Sequence, residues 1–293
     1  MKRALLLALS ALLPATGLSV ARGTGLARAV DAWLKLSMGV EAVSPAGSGG
    51  FATEDSAPRI KQAPAAVFAR AQRPALSRER DIKDLPLVEV PATAATDEGP
   101  RRELMAVMLS GDGGWAELVR EISKEIADHG IPVVGLDCLK YFWTRRTPEG
   151  AARDLAAILN HYLGAWGKEK VILIGYSLGA DVLPFLVNRL PAALDARIDL
   201  IALLGPGGRA EFEFHLVNWL GVLPADTRPT LPEVRKLGGK KIACIFGEKE
   251  KESLCRSLDS SLAELISFPG GHHFGRNYRG VAGKILSLEA PSP

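Results

Sequence analysis

The stretch that constrains this chain most is Gly175-Tyr176-Ser177-Leu178-Gly179. It follows the continuous apolar run Val171-Ile172-Leu173-Ile174 and precedes residues 180–186, whose apolar side chains recur at helical spacing. A strand, a G-x-S-x-G turn and a helix, in that order, make a nucleophile elbow. The turn is so tight that the serine backbone is strained, and side chains two positions to either side would collide. Gly175 and Gly179 carry none. The strain holds a hydroxyl above the carboxyl edge of a sheet. It sits at a helix N-terminus whose free N–H groups and dipole favour a developing negative charge.

Around the elbow the pattern alternates. Apolar runs predict strands over 104–109, 131–136, 171–174, 198–204, 241–246 and, shorter, 263–268. Helical spacing predicts helices over 115–128 (Leu118, Ile122 and Ile126 inward), 148–166 and 278–288. Continuous apolar strands alternating with helices mean a parallel sheet covered on both faces. With the elbow, this is the α/β class and the α/β-hydrolase fold, assigned to residues 85–293. Leu85-Pro86-Leu87-Val88-Glu89-Val90-Pro91 reads as an edge strand, where flanking prolines are tolerated.

The first 84 residues read differently. Lys2 and Arg3 precede a small or apolar run over 4–13, and Ser19-Val20-Ala21 offers a small-x-small cleavage site. Residues 1–21 are therefore expected to be a secretory signal peptide, with an uncleaved N-terminal anchor as the alternative, and the mature protein exported. Residues 22–84 hold one short helical pattern (Leu26, Val30, Trp33, Leu34) and then an Ala/Pro/Gly/Ser/Arg-rich stretch. The composition of that stretch predicts a linker or poorly ordered extension. Without Lys2 and Arg3 the 36 basic residues become 34 against 33 acidic ones, too even a balance to argue for nucleic acid. In an oxidising compartment Cys244 and Cys255, flanking a short loop, are the better pair of the three cysteines, with Cys138 free. Three free, buried thiols stay open as the alternative.

In such sheets chemistry lies beyond the carboxyl ends of the strands. After the first core strand comes Ser110-Gly111-Asp112-Gly113-Gly114-Trp115, where the backbone completes an oxyanion hole. The donors expected are the N–H of Asp112 (or Gly113) and that of Leu178. No Gly-Lys-Ser/Thr follows, so this is not a phosphate-binding P-loop. After the strand ending at Phe246, Glu250 has the spacing of an orienting acid, with Glu252 second. After the last strand, Pro269-Gly270-Gly271-His272-His273-Phe274 supplies the base: His272, with His273 second. His129, His161 and His215 are expected to be structural or on the surface. The paired histidines lack an evident third ligand, so no metal and no cofactor is expected.

Ser-Gly-Asp-Gly-Gly-Trp at 110, Tyr141-Phe142-Trp143, Gly-Tyr-Ser-Leu-Gly-Ala-Asp-Val-Leu-Pro at 175 and Gly-Gly-His-His-Phe at 270 together resemble the bacterial virulence protein family AcvB/VirJ, over roughly residues 85–288. The resemblance implies an exported periplasmic α/β-hydrolase that cleaves aminoacyl-phosphatidylglycerol, notably the lysyl form, and a link to virulence. Leu178 stands where the family often has Phe, and Arg276-Asn277 where it has a more acidic Gly-Asp. The implied partner is phospholipid at the bilayer surface. For such a substrate Asp181, with Asp112 and Asp137, would meet a cationic aminoacyl group, a structural hydrogen bond to the neighbouring loop being the alternative for Asp181. Tyr141 and Trp143 would line the pocket or touch lipid, with core packing the alternative for two of Tyr141, Phe142 and Trp143. Phe212, Phe214, Val217, Trp219 and Leu220 read as a lid-like insertion or a buried helix. Two other classes stay open: a hydrolase of other lipid or soluble esters, and a non-catalytic accessory of secretion-system proteins.

Overall fold

The computed structural model describes residues 82–93, 100–214 and 227–289, all within the compact unit spanning 74–293. The signal-peptide, helix and linker expectations for residues 1–81 fall outside the described residues, as do Val217, Trp219 and Leu220.

Seven strands form the main sheet: β1 (Leu87–Val90), β2 (Leu104–Leu109), β3 (Val133–Leu136), β4 (Lys170–Tyr176), β5 (Ile198–Leu204), β8 (Ile242–Gly247) and β9 (Glu264–Phe268). Their order is β1-β3-β2-β4-β5-β8-β9. Only β1 runs antiparallel, at the edge expected from its prolines. The short strands β6 (Arg209–Glu211) and β7 (Thr227–Pro229) pair separately. Helices α1 (Glu117–Asp128), α2 (Cys138–Tyr141), α3 (Pro148–Ala165), α4 (Leu178–Val187), α5 (Ala192–Asp195), α6 (Leu231–Lys236) and α7 (Tyr278–Leu288) complete the described elements.

The apolar runs divide by parity, as strand geometry requires. Met105, Val107, Leu109, Val171, Leu173, Ile201 and Leu203 enter the core under α3 and α4. Leu104, Ala106, Met108, Ile172, Ile174, Ala202 and Leu204 enter the core under α1 and α7. Each fully buried Val, Leu, Ile or Met side chain among them stabilises the fold by about 1.5–3 kcal/mol. Two layers of helices are therefore written into strands with no polar face, and the sheet's carboxyl edge is left to the loops.

Local chemistry sets the helix boundaries. Thr147 caps α3, its Oγ1 accepting from Gly150 N at 3.0 Å, with Pro148 in the first turn. Asn277 caps α7 by accepting from Gly280 N at 3.0 Å, so it does the capping work that an aspartate would do there. Helix α1 starts at Glu117, two residues later than periodicity predicts, and Trp115 just before it packs against Gly135. A Cβ at Gly135 would come within 2.1 Å of that indole. Ile82 packs on the core although it falls in the expected linker, so the folded domain begins slightly before residue 85. Cys244 in β8 and Cys255 form a disulfide, and Cys138 is free and buried.

At the opposite edge, Glu289 is buried and its carboxyl is pushed up to about 8. Burial is the chief cause and the neighbouring Asp199 carboxylate the second, against the pull of Lys241 and Lys170. Between its ordinary value and about 8 the folded chain keeps a proton that the unfolded chain has lost. Stability from this group is thus full below the unfolded value and falls as pH rises through about 8. Thermal unfolding followed from pH 5 to 9 is expected to show that fall, and Glu289→Gln to flatten it. Parallel curves for the two proteins would refute the assignment.

Candidate active site

Ser177 sits between β4 and α4 with φ 52° and ψ −116°, a conformation L-residues rarely adopt. The flanking glycines make it possible. A Cβ at Gly175 would lie 2.5 Å from the Gly179 carbonyl oxygen, and one at Gly179 would lie 2.3 Å from that of Leu109. Ser177 N–H donates to Leu204 O (2.9 Å) and Asp181 N–H to Ser177 O (3.0 Å), so the turn is tied to both β5 and its own helix. Leu178 is the first residue of α4, where an N–H has no partner within the helix.

Three loops converge on the serine. Tight backbone conformations shape the loop after β9: Gly270 (φ 100°), Phe274 (51°) and Gly275 (59°) all have positive φ. Phe274 is wholly buried beside Phe268 and Tyr176, which anchors the loop against that strain. His272 is thereby presented inward, its ring over that of Tyr176, which donates from its hydroxyl to His272 O (3.2 Å). Burial, then the carboxylates of Asp112 and Glu250, push the Tyr176 phenol up, so it stays a donor.

Glu250 supplies the third group. Its Oε1 lies 2.5 Å from His272 Nδ1, while its Oε2 accepts from Gly247 N–H at 2.6 Å. The structure brings Glu250 and His272 together, while Glu252 and His273 are both exposed. With Nδ1 committed to Glu250, Nε2 is the ring nitrogen left to exchange a proton with a substrate-side oxygen.

Ser177, Asp181, Glu250 and His272 line one cleft of about 600 Å³, with Gly205–Gly207 and the side chains of residues 249–253. That is within the roughly 300–1,000 Å³ of small-molecule sites. The loop after β2 lies against the elbow, since a Cβ at Gly111 would come within 3.2 Å of Ser177 Cβ. It is pinned by Ser110, whose N–H donates to Leu136 O (3.1 Å) and whose Oγ accepts from Cys138 N–H (2.9 Å). Asp112 and Gly113 are its exposed tip.

Several expected binding residues are placed differently. Tyr141 is a correction: it is 1% exposed, packed edge-on to Phe142, and donates to Asp154 Oδ2 at 2.5 Å, so it belongs to the core rather than to the cleft. Trp143 is 62% exposed and stacks on Phe214 (centroids 5.6 Å apart), and it is not among the cleft-lining residues. Asp137 caps α2 and pairs with Lys140 at 3.0 Å. Asp181 does line the cleft, but its Oδ1 accepts from Gly207 N–H at 2.7 Å, which buttresses the loop after β5. Burial pushes its carboxyl well above the usual range, against the pull of that N–H, so it is a poor fixed anion. Phe212, from the expected lid, is buried against Phe142 and Phe185.

Residues 103–290 match the family described as bacterial virulence protein (VirJ). The chain belongs to the VirJ family. No curated protein matches it. Among solved structures, a proline iminopeptidase from Mycobacterium smegmatis is 13% identical, with a TM-score of 0.49 over 69% of this chain and 94% of that one. A lipase-esterase related protein from Clostridium acetobutylicum is 16% identical, with a TM-score of 0.48 over 69% and 99%. The thioesterase domain from the curacin biosynthetic pathway is 14% identical, with a TM-score of 0.45 over 68% and 94%. Each likeness is one of chain path.

In this VirJ-family chain, sequence reasoning missed Gly205. At φ 55° it passes so close to His272 that a Cβ would lie 2.9 Å from His272 Nδ1 and 3.4 Å from Glu250 Oε1. The signal was available as Gly205-Pro206-Gly207-Gly208, a glycine cluster directly after an apolar strand.

Proposed function

We propose that this chain is an exported serine hydrolase that cleaves the aminoacyl ester of aminoacyl-phosphatidylglycerol, lysyl-phosphatidylglycerol foremost. The observation that carries the chemistry is the 2.5 Å contact between His272 Nδ1 and Glu250 Oε1, in the same cleft as the strained Ser177. Membership of the VirJ family supports the substrate class.

In this reading His272 Nε2 removes the Ser177 proton as Oγ attacks the ester carbonyl. Glu250 holds the tautomer and stabilises the imidazolium. The N–H groups of Leu178 and Asp112 receive the oxyanion. His272 then returns the proton to the departing glycerol oxygen, releasing phosphatidylglycerol. Water, deprotonated by the same nitrogen, frees the amino acid from Ser177. The cleft has room for an aminoacyl-glycerol group, while the acyl chains stay in the bilayer. Trp143, exposed and aromatic, is assigned to the lipid surface. The signal-like pattern of a basic pair, a small or apolar run over 4–13 and Ser19-Val20-Ala21, together with the Cys244–Cys255 disulfide, supports export to the periplasm.

Product identity tests the reading. On vesicles holding lysyl-phosphatidylglycerol the expected products are free lysine and intact phosphatidylglycerol. Release of fatty acid instead would make the protein a lipase. Turnover of soluble esters with no lysine released from vesicles would favour a soluble-ester hydrolase.

A further inference from the structure

The segment that carries Glu250 is fastened from behind. It runs from the end of β8 to a short 3-10 turn (Leu254–Ser257). Cys255 in that turn is disulfide-bonded to Cys244 in β8, with both residues wholly buried and the Cα atoms 5.5 Å apart. Leu254 N–H, one residue earlier, donates to Pro206 O at 2.9 Å. The next residue, Arg256, turns back over the loop. Its Nε donates to the Glu250 carbonyl oxygen at 2.8 Å and its Nη2 to that of Glu248 at 2.7 Å. Its guanidinium lies 4.8 Å from the centroid of the Phe246 ring.

An exposed arginine beside Glu248, Glu250 and Glu252 would ordinarily pair with a carboxylate. Among the described residues this one makes no ion pair, and its donors go to two backbone carbonyls two residues apart. A planar fork fixes the path of a loop in a way that a single ammonium cannot. Its neighbour Cys255 is covalently tied to β8, so the backbone from which the fork projects is anchored to the sheet rather than to the loop it holds. The backbone of Glu250 is therefore set from outside, and its two oxygens divide between Gly247 N–H and His272.

We propose that Arg256, anchored by the Cys244–Cys255 disulfide, is a positioning residue that keeps Glu250 within hydrogen-bond reach of His272. It acts through Glu250 and touches no substrate. The proposal rests on the Ser177–His272–Glu250 reading given above.

The test uses the full chain and two readouts. Proton NMR reports the His272 Nδ1 hydrogen as a downfield resonance. It is expected in the wild type and lost or broadened in Arg256→Ala, with the unfolding midpoint within a few degrees. On an ester substrate the same variant is expected to lose about 10- to 100-fold in kcat with KM within twofold, the penalty of a small misplacement. Added guanidinium at millimolar concentration should restore part of kcat to Arg256→Ala and none to Glu250→Ala. Arg256→Lys, which keeps the charge without the fork, should fall between and serves if the alanine variant does not fold. A folded Arg256→Ala with the wild-type resonance and kcat would overturn the proposal. A wild type that hydrolyses no ester would instead overturn the proposed function, and the resonance alone would then decide whether Arg256 positions Glu250.

Discussion

Ser177→Ala and His272→Ala are each expected to lower kcat on a chromogenic ester by at least about 10⁴-fold, and the double variant to be no worse than either. Such a loss is about 5.4 kcal/mol of transition-state stabilisation. The reason for non-additivity is that Oγ is a weak nucleophile unless Nε2 takes its proton, and Nε2 has nothing to activate once Oγ is gone. Glu250→Ala should lose less, since the loops after β9 and β5 still confine the His272 ring through Tyr176 and Gly205. None of these changes removes core packing: Ser177 is half-buried and its hydroxyl supports no hydrophobic contact. Circular dichroism and unfolding midpoints should match the wild type. Independent, multiplying losses for Ser177 and His272 would show that they do not act as one unit.

Gly179→Ala is expected to fail differently, by breaking the fold at the elbow. The added methyl would lie 2.3 Å from Leu109 O and 2.7 Å from both Leu109 C and Ser110 O. These are backbone atoms of a central strand and its outgoing loop, with neighbours paired on both sides, and no side-chain rotation relieves the overlap. Helix α4 would have to lift from β2, opening gaps around its own buried residues Ala180, Leu183 and Leu186. A cost of about 3–5 kcal/mol follows, or roughly 10–15 °C in unfolding midpoint. Gly283→Ala is the control, because a Cβ there meets nothing within 4 Å on α7. Thermal unfolding of the two variants side by side checks the prediction, and equal midpoints would contradict it.

What could be read beforehand follows from the range of the forces involved. The strands under α3, α4, α1 and α7 were legible because burial on both faces leaves no polar alternation to confuse them, as in Val171-Ile172-Leu173-Ile174. The elbow was legible because its glycines answer a local clash. The loop order serine, acid, histidine pointed to the loops that hold Glu250 and His272, whose side chains the structure brings into contact. Only the fold around Phe274 and Gly247 decides between Glu250 and Glu252, or between His272 and His273. Tyr141 was misplaced because an aromatic triplet at a strand end looks the same whether it turns toward the cleft or toward Asp154. The three-residue strands β6 and β7 are too short for any periodicity, and Arg256 reads as ordinary surface charge until the disulfide brings it back over the loop.

The central claim is that Ser177 attacks the aminoacyl ester of a membrane lipid. Its most direct test is the rate of free lysine release from lysyl-phosphatidylglycerol vesicles, measured for wild type and Ser177→Ala at matched concentrations of folded protein. Steady release by the wild type is expected, and none above the vesicle background by the variant. Equal release by the two proteins, or no release by the wild type, would contradict it.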